Sequence, residues 1–561
     1  MLAAIVILIG VVVVSKVLRH MLAVVVMSMA VVFAFAIAPG TACAADTGAI
    51  TVDGTVATRY DAYQLFSATV VDDADADQKV ATDVAWANDT VRQAALPVLH
   101  DAGLDNSAST AQEAAEWMNG DGHMTTALAT KLARAICRSG VPSVALNAGT
   151  VAELPSGYWL IVADDDAIAQ GEAGTAPIMA LVGGSAVTVK PKAATPKVAK
   201  HVLEDSTTAW QKAADATVAD DLYWRLSATV PAGLAAYDTY TVRFVDTMGA
   251  GLDPSKVAAS MRVYVAAGAD GGFDAVPTGK DGRAGTEPAK GWTDITAQCG
   301  VSVDGKTFTV RTGDLIAALG GADAFTAGAR VVAVYNAPLS SACNHGIAKG
   351  NPNEVYLRYP RSPFADQSGD AGFTRTPSDD ACAYTWGLSL IKRSSSDDKP
   401  LTGAKLRIID DRGRILTTDG SWSTDADACV TTGADGHVEL SGVDAGVYTV
   451  EEVAAPKGYT AFEGKRTVTV TAEGLDVKQV AVAKPKVTVS AESPLRVDTA
   501  DAGTGSIELS VLNTPSKEAS RGFMPSTGDR TLVLVAVLAA IGVAVIVVAL
   551  VIKRGGGRRE K

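Results

Sequence analysis

Alternation of apolar and polar residues runs through most of the chain. In TYTVRFVDT (239–247), KTFTVRT (306–312), KLRIIDD (405–411), GVYTVEEV (446–453), RTVTVTA (466–472) and SIELSVLN (506–513), apolar side chains recur at about every second position. That period sets one face of a strand on a core and the other in water. ITVDGTVATRYDAYQLFSATV, YWLIVAD, MRVYVAA, ARVVAVYNA and EVYLRYP extend the array, with Gly, Asp, Asn and Pro between them. The pattern predicts an all-β protein of tandem sandwich domains. One stretch departs from it: in STAQEAAEWMNGDGHMTTALATKLARAICRSG (109–140) the apolar residues recur at helical spacing, which predicts two short helices inserted in the first domain.

Two longer apolar runs stand apart. From Thr531 to Ile552 no charge occurs, and the run is long enough to cross a hydrocarbon core of roughly 30 Å as a helix. The basic tail 553–561, KRGGGRREK, favours the cytoplasmic side, which places everything before it outside the cell. At the other end, SKVLRH supplies a basic stretch, MLAVVVMSMAVVFAFAIA an apolar core, and Ala42-Cys43-Ala44 a small-x-small cleavage site. Residues 1–44 are therefore expected to be a signal peptide, with a mature chain from about Ala45. The preceding MLAAIVILIGVVVVSK leaves the true start open between Met1 and Met21, and Gly40 stands where a lipobox would carry Leu.

Charge and cysteines narrow the function classes. A formal net charge of −13 argues against nucleic acid as a partner. DDADAD (72–77) and Asp164-Asp165-Asp166 are expected as solvated loops, with calcium binding left open. Six cysteines occur; Cys43 leaves with the signal, and outside the cell Cys299 with Cys343 and Cys382 with Cys429 are candidate disulfides within single domains, with Cys137 left over. His100, His123, His201, His345 and His437 sit in unrelated contexts, without HExxH or Gly-x-Ser-x-Gly patterns, so neither a hydrolase nor a metal centre is expected.

Ahead of the C-terminal apolar run stands Met524-Pro525-Ser526-Thr527-Gly528. Motif, span and basic tail in this order resemble the Gram-positive cell-wall sorting signal, usually LPxTG, with Met in place of Leu. The resemblance implies that a sortase cysteine attacks the Thr527 carbonyl, releases the Gly528-led tail and hands the chain to an amine. Val187-Thr188-Val189-Lys190-Pro191-Lys192 resembles the pilin motif VxVYPK of sortase-assembled backbone pilins, with Lys190 where Tyr is usual. It implies Lys192 as the amine that receives the next subunit, with Lys190 as its competitor.

Two further domains carry the resemblance. PKVAKHV, YDTYTVRFVDTMGAGLD and GNPNEVYLRYPRSP look like an isopeptide-forming fimbrial domain, which implies Lys200 as amine, Asp246 as acid and Asn353 as acceptor. Tyr359-Pro360-Arg361 stands where that family commonly reads YSN. WGLSLIKRSSSDDKPLTGAKLRIID, Tyr448 to Tyr459 (YTVEEVAAPKGY) and SIELSVLNTP resemble a CnaB-type prealbumin-like domain with its E-box, which implies Lys392, Glu452 and Asn513 in the same roles. Strand alternation turns Glu451 to the opposite, solvent-facing side.

The reading is an all-β chain of immunoglobulin-like and CnaB-type sandwiches: an N-terminal pilin domain (45–192), a fimbrial domain (193–366), a prealbumin-like domain (381–516) and one transmembrane helix (531–552). Its expected role is the major subunit of a covalent cell-wall pilus on a Gram-positive surface. It acts on no substrate beyond forming its own isopeptide bonds and needs no cofactor. The implied partners are a pilin-specific class C sortase, a housekeeping sortase, identical and minor pilins and peptidoglycan, with host surface ligands open. The alternative is a basal or tip pilin or a monomeric wall-anchored adhesin.

Overall fold

The computed structural model describes residues 47–73, 78–191, 195–268, 291–325, 328–477, 479–480 and 485–516. The leader, Lys192, the sorting motif, the C-terminal apolar run and the basic tail lie outside the described residues. Two compact units divide the chain. Among the described residues, the first holds those from 47 to 344, Gly350–Tyr384 and those from 475 to 480, and the second holds His345–Lys349, Thr385–Gly474 and those from 485 to 516. The first two predicted domains thus fall in one compact unit. The step to the second unit comes at Thr385, a few residues beyond the expected 381.

In the N-terminal part a three-stranded sheet runs Val151–Pro155, Thr47–Val52, Val187–Val189, and a five-stranded sheet runs Gln78–Trp86, Arg59–Asp73, Gly157–Ala163, Ile178–Val182, with Val144–Asn147 on the Arg59–Asp73 strand. Asp72 and Asp73 end that strand instead of lying in a loop, and Asp165 opens a 3-10 turn. Val187 and Val189 point inward beside Ile50 and Val52 in parallel register. Thr188 and Lys190 are exposed, and Lys190 pairs with Asp53 at 3.5 Å.

Three helices pack here, where two were expected. Ala111–Met118 begins with a reciprocal capping box between Thr110 and Glu113, and Thr126–Arg138 begins at Thr125, whose side chain accepts from the Leu128 N–H. The additional helix is Asp89–Asp101, with Pro97 inside it. Proline removes one internal hydrogen bond, but the Asn88 cap and the inward row Val91, Ala95, Leu99 hold the helix on Leu132, Ile136 and Leu160.

The middle of the first unit is a sandwich. One sheet runs Ala209–Gln211, Lys197–Glu204, Tyr223–Val230, Ala329–Asn336, Arg262–Ala267, Thr293–Asp294. The other runs Ala213–Asp215, Asp379–Tyr384, Asn351–Pro360, Arg243–Met248, Thr307–Arg311, Gly300–Asp304, with Phe373–Arg375 on the Asn351–Pro360 strand. Between them lie Trp224, Leu226, Phe244, Phe308, Val331, Val355 and Leu357. In the second unit the first strand, Trp386–Ser394, and the last, Ser506–Pro515, are parallel neighbours from Gly387 opposite Ser506 to Ser394 opposite Asn513. The facing sheet carries Lys405–Ile409, Gly446–Ala454 and Lys465–Glu473 at its centre.

The cysteine expectation is corrected. Cys137, Cys299, Cys343, Cys382 and Cys429 are all free thiols. Cys299 donates to the Ile295 carbonyl at 3.3 Å, and Cys382 lies buried in a strand of the first unit whereas Cys429 belongs to the second. Burial pushes the Cys299 and Cys382 thiols up to about 11, away from the reactive thiolate.

Gly157 lies opposite Ser67, just beyond the register shift between Gln64 and Phe66, with φ of +144° and an added Cβ only 2.1 Å from the Phe66 carbonyl oxygen. Gly157→Ala is expected to cost at least about 2 kcal/mol of first-unit stability. Denaturant titration checks this, with the second unit's transition unchanged.

Candidate functional site

Strand alternation delivers three polar side chains into the apolar sandwich of the first unit. Along Lys197–Glu204 the inward positions include Lys200 and Val202; along Arg243–Met248 they are Phe244, Asp246 and Met248; along Asn351–Pro360 they are Asn351, Asn353, Val355 and Leu357. Asp246 pairs with Val355 and Met248 with Asn353, so Asp246 and Asn353 are diagonal neighbours on one face. Lys200 comes from the opposite sheet. All three are completely buried.

The Lys200 ammonium donates to Asp246 Oδ2 and, at 2.9 Å, to the Tyr335 hydroxyl. Tyr335 donates to Asp246 Oδ2 at 3.0 Å and accepts from Asn353 Nδ2 at 2.9 Å. Its one donor and two lone pairs are all engaged. Asp246 Oδ1 and Asn353 Oδ1, by contrast, have no hydrogen-bond partner. Aromatic faces wall the amine: Lys200 Nζ lies 5.5 Å from the Trp224 ring centre and 5.4 Å from that of Tyr335. The Lys200 backbone is also fixed, its N–H donating to Asp379 Oδ2 at 2.7 Å and its carbonyl accepting from Lys212 Nζ at 2.8 Å.

Burial drives the protonation states. It pushes the Lys200 amine down to about 8 although Asp246 pulls it up, and it raises the Asp246 carboxyl against the pull of Lys200. Burial, and then the Asp246 charge, hold the Tyr335 phenol far above its ordinary value, so it keeps its proton. In such a site a neutral amine beside a neutral carboxyl competes with the ion pair. In its neutral form such an amine is a nucleophile.

The second unit repeats the set with a different layout. Lys392 on the first strand lies opposite Val511, two positions from Asn513 on the parallel last strand, so both point into the same core. Lys392 Nζ donates to Asn513 Oδ1 and sits 3.0 Å from Glu452 Oε1, which also accepts from Asn513 Nδ2 at 2.8 Å. Glu452 Oε2 accepts from the Phe462 N–H at 3.0 Å, and the Phe462 ring centre lies 5.3 Å from Lys392 Nζ. Desolvation lowers the Lys392 amine despite Glu452. Glu451 turns the other way, as alternation predicts, and pairs with Arg407 at 3.1 Å.

Every residue expected in these two trios is brought together. Lys192 and Met524 to Gly528 lie outside the described residues. Tyr335 and Phe462 were not singled out in the sequence. For Phe462 a signal existed in its position just beyond the E-box; Tyr335 lies in a strand buried at every residue, where alternation cannot mark a special position. Among the described residues no group of three His, Cys, Asp or Glu is placed to hold a metal ion.

Residues 387–485 match the family described as SpaA, prealbumin-like fold domain, so the second unit contains a prealbumin-like domain. A curated relative, the trypsin-resistant surface T6 protein of Streptococcus pyogenes serotype M6, is 28% identical over 120 residues, which make up 20% of this chain and 20% of that protein. The chain therefore spans about one fifth of that relative's length. Among solved structures the chain is similar to the T6 backbone pilin of serotype M6 Streptococcus pyogenes, at 15% identity over 85% of this chain and 100% of that one, with a TM-score of 0.47. It is also similar to the full-length major pilin SpaD from Corynebacterium diphtheriae, at 14% identity over 84% and 98%, with a TM-score of 0.41.

A lysine whose folded pKa is depressed makes the unfolded chain the better proton binder, so stability rises with pH between the folded and unfolded values. For an Asn353→Ala chain, which has no acceptor, first-unit stability is expected to rise between about 8 and 10.5, the folded and ordinary values of Lys200. Denaturant titrations across that window, compared with a Lys200→Met/Asn353→Ala chain that lacks the effect, check this.

Proposed function

We propose that this chain is the structural subunit of a covalently polymerised, sortase-assembled pilus on a Gram-positive cell surface, stabilised by a Lys200–Asn353 and a Lys392–Asn513 amide. The observation that carries the proposal is the pair of buried trios of amine, carboxyl and carboxamide, hydrogen-bonded directly in the second unit and through Tyr335 in the first. In each, the neutral amine attacks the carboxamide carbon, the acid moves a proton from the amine to the departing nitrogen, and ammonia leaves. The acid ends as it began, so the reaction is a single intramolecular turnover, not enzymatic catalysis on a separate substrate.

Such an amide suits a protein under tension. In the second unit it joins the first strand to the last across a sequence separation of 121 residues. A pull on the two ends then passes along Trp386–Ser394, through the amide and out by Ser506–Pro515, and the residues between carry no load. In the chain-entropy treatment of crosslinks, closing a loop of that length is worth about 4 to 5 kcal/mol. The prealbumin-like match and the relative's name, which joins a surface location to trypsin resistance, support the same reading.

Polymerisation is assigned to Thr527 as the acyl donor and Lys192 as the receiving amine. Val187–Val189 pairs with Thr47–Val52 and ends at Lys190, whose ammonium faces Asp53; the chain then continues through Pro191 to Lys192. A pilin-specific sortase joins subunits, and a housekeeping sortase attaches the fibre to peptidoglycan.

Two outcomes are expected. Lys192→Ala abolishes the high-mass ladder of cell-wall extracts on a denaturing gel while Lys190→Ala keeps it, and a ladder that survives Lys192→Ala contradicts the polymerisation role. Glu452→Gln keeps the size of the acid and removes its ability to take a proton. It is expected to lose the Lys392–Asn513 amide alone and about 4 to 5 kcal/mol of second-unit stability, checked by peptide mapping and denaturant titration.

A further inference from the structure

The two trios differ in how the acid meets the carboxamide. In the second unit Glu452 Oε1 touches both reacting groups, at 3.0 Å from Lys392 Nζ and 2.8 Å from Asn513 Nδ2. In the first unit the acid is an aspartate, one methylene shorter. Its Oδ2 meets the Lys200 amine, but the contact to Asn353 Nδ2 comes from the Tyr335 hydroxyl at 2.9 Å, which in turn donates to Asp246 Oδ2 at 3.0 Å. Tyr335 belongs to Ala329–Asn336, in the sheet that carries Lys200, and reaches across the core to the sheet of Asp246 and Asn353. An edge-on contact with Phe308, 4.7 Å between ring centres, holds its ring.

We propose that Tyr335 is a catalytic residue of amide formation in the first unit, its hydroxyl relaying the proton between Asp246 and the departing nitrogen of Asn353. This inference rests on the isopeptide reading given above. The Lys200 amine nitrogen bonds to Asn353 Cγ. The extra proton of that nitrogen passes to the Asp246–Tyr335 pair, the Tyr335 hydroxyl gives a proton to Asn353 Nδ2 and regains one from Asp246, the Cγ–Nδ2 bond breaks and ammonia leaves. One amine and one carboxamide become one secondary amide and one ammonia, and Tyr335 and Asp246 return to their starting states. The orphaned oxygens fit this course. Asp246 Oδ1 is free to hold the carboxyl proton, and Asn353 Oδ1 is a carbonyl oxygen with no donor holding it.

Tyrosine rather than phenylalanine is required for a chemical reason separate from packing. A phenylalanine would fill the same space against Phe308 and Trp224 but would leave Asn353 Nδ2 without the proton source. The two sites also predict different sensitivities, because Glu452 spans its own gap and needs no relay.

The test is peptide mapping of the full exported chain, following the Lys200–Asn353 and Lys392–Asn513 branched peptides over time after synthesis. Tyr335→Phe is expected to slow the first junction by about 10²-fold, the lower range for loss of a general acid, and to leave the second unchanged as an internal control. A second variant keeps the hydroxyl: site-specific 3-fluorotyrosine at Tyr335 makes the phenol more acidic, and the expected result is an altered rate and pH profile for the first junction only. If Tyr335→Phe or the fluorinated chain forms the first junction at the wild-type rate and pH profile, the relay is overturned. If the wild-type chain never forms that junction, the isopeptide reading of the first unit fails, and the relay falls with it.

Discussion

Exclusion of water from an amine is the constraint on which the rest depends. Lys200 and Lys392 are completely buried, each with a carboxyl and a carboxamide beside it. An ion pair in such a place costs more in lost hydration than its own attraction returns, unless every remaining donor and acceptor is met. In the first unit they are not met, since Asp246 Oδ1 and Asn353 Oδ1 are orphaned. The proposed conversion to a neutral amide would remove the buried charges and expel a small leaving group. In that proposal the sandwich must be assembled and dry before the chemistry can run.

The two units meet this constraint with different topologies. In the first, the amine and the carboxamide lie on facing sheets, so the proposed amide would tie one sheet to the other through the core. In the second, they lie on adjacent parallel strands of one sheet, so the proposed amide would tie the strand that enters the domain to the strand that leaves it. A parallel pair at the two ends of a domain is loaded in shear when the ends are drawn apart, and its ladder of backbone hydrogen bonds shares the load. A covalent link near the end of that ladder removes the need for it to hold.

The strand array and the opposite facing of Glu451 and Glu452 were legible from period-two alternation, whereas the roles of Lys392, Glu452 and Asn513 came from the resemblance to a CnaB-type domain. Lys392, Glu452 and Asn513 stand at inward positions of strongly alternating segments, and Glu451 falls outward by the same count. Asn353 could be read from its segment, and the fold puts it on the same face as Asp246 because their strands pair two residues out of step. What escaped is equally physical. Tyr335 lies in a strand with no exposed face, so nothing in its pattern separates a reacting hydroxyl from ordinary core. The Asp89–Asp101 helix was hidden by Pro97, whose cost is offset by a good cap and a buried row of side chains. The disulfide expectation failed because spacing along a chain says little about which strand or unit a thiol ends in: Cys382 and Cys429 are divided by the boundary at Thr385.

The intact mass of the exported chain, recovered from the cell surface and freed of its sortase junctions, tests the central claim most directly. The account predicts a mass lower than that of the plain sequence by two molecules of ammonia, with no loss of hydrogen from disulfides. A mass equal to that of the plain sequence would contradict it.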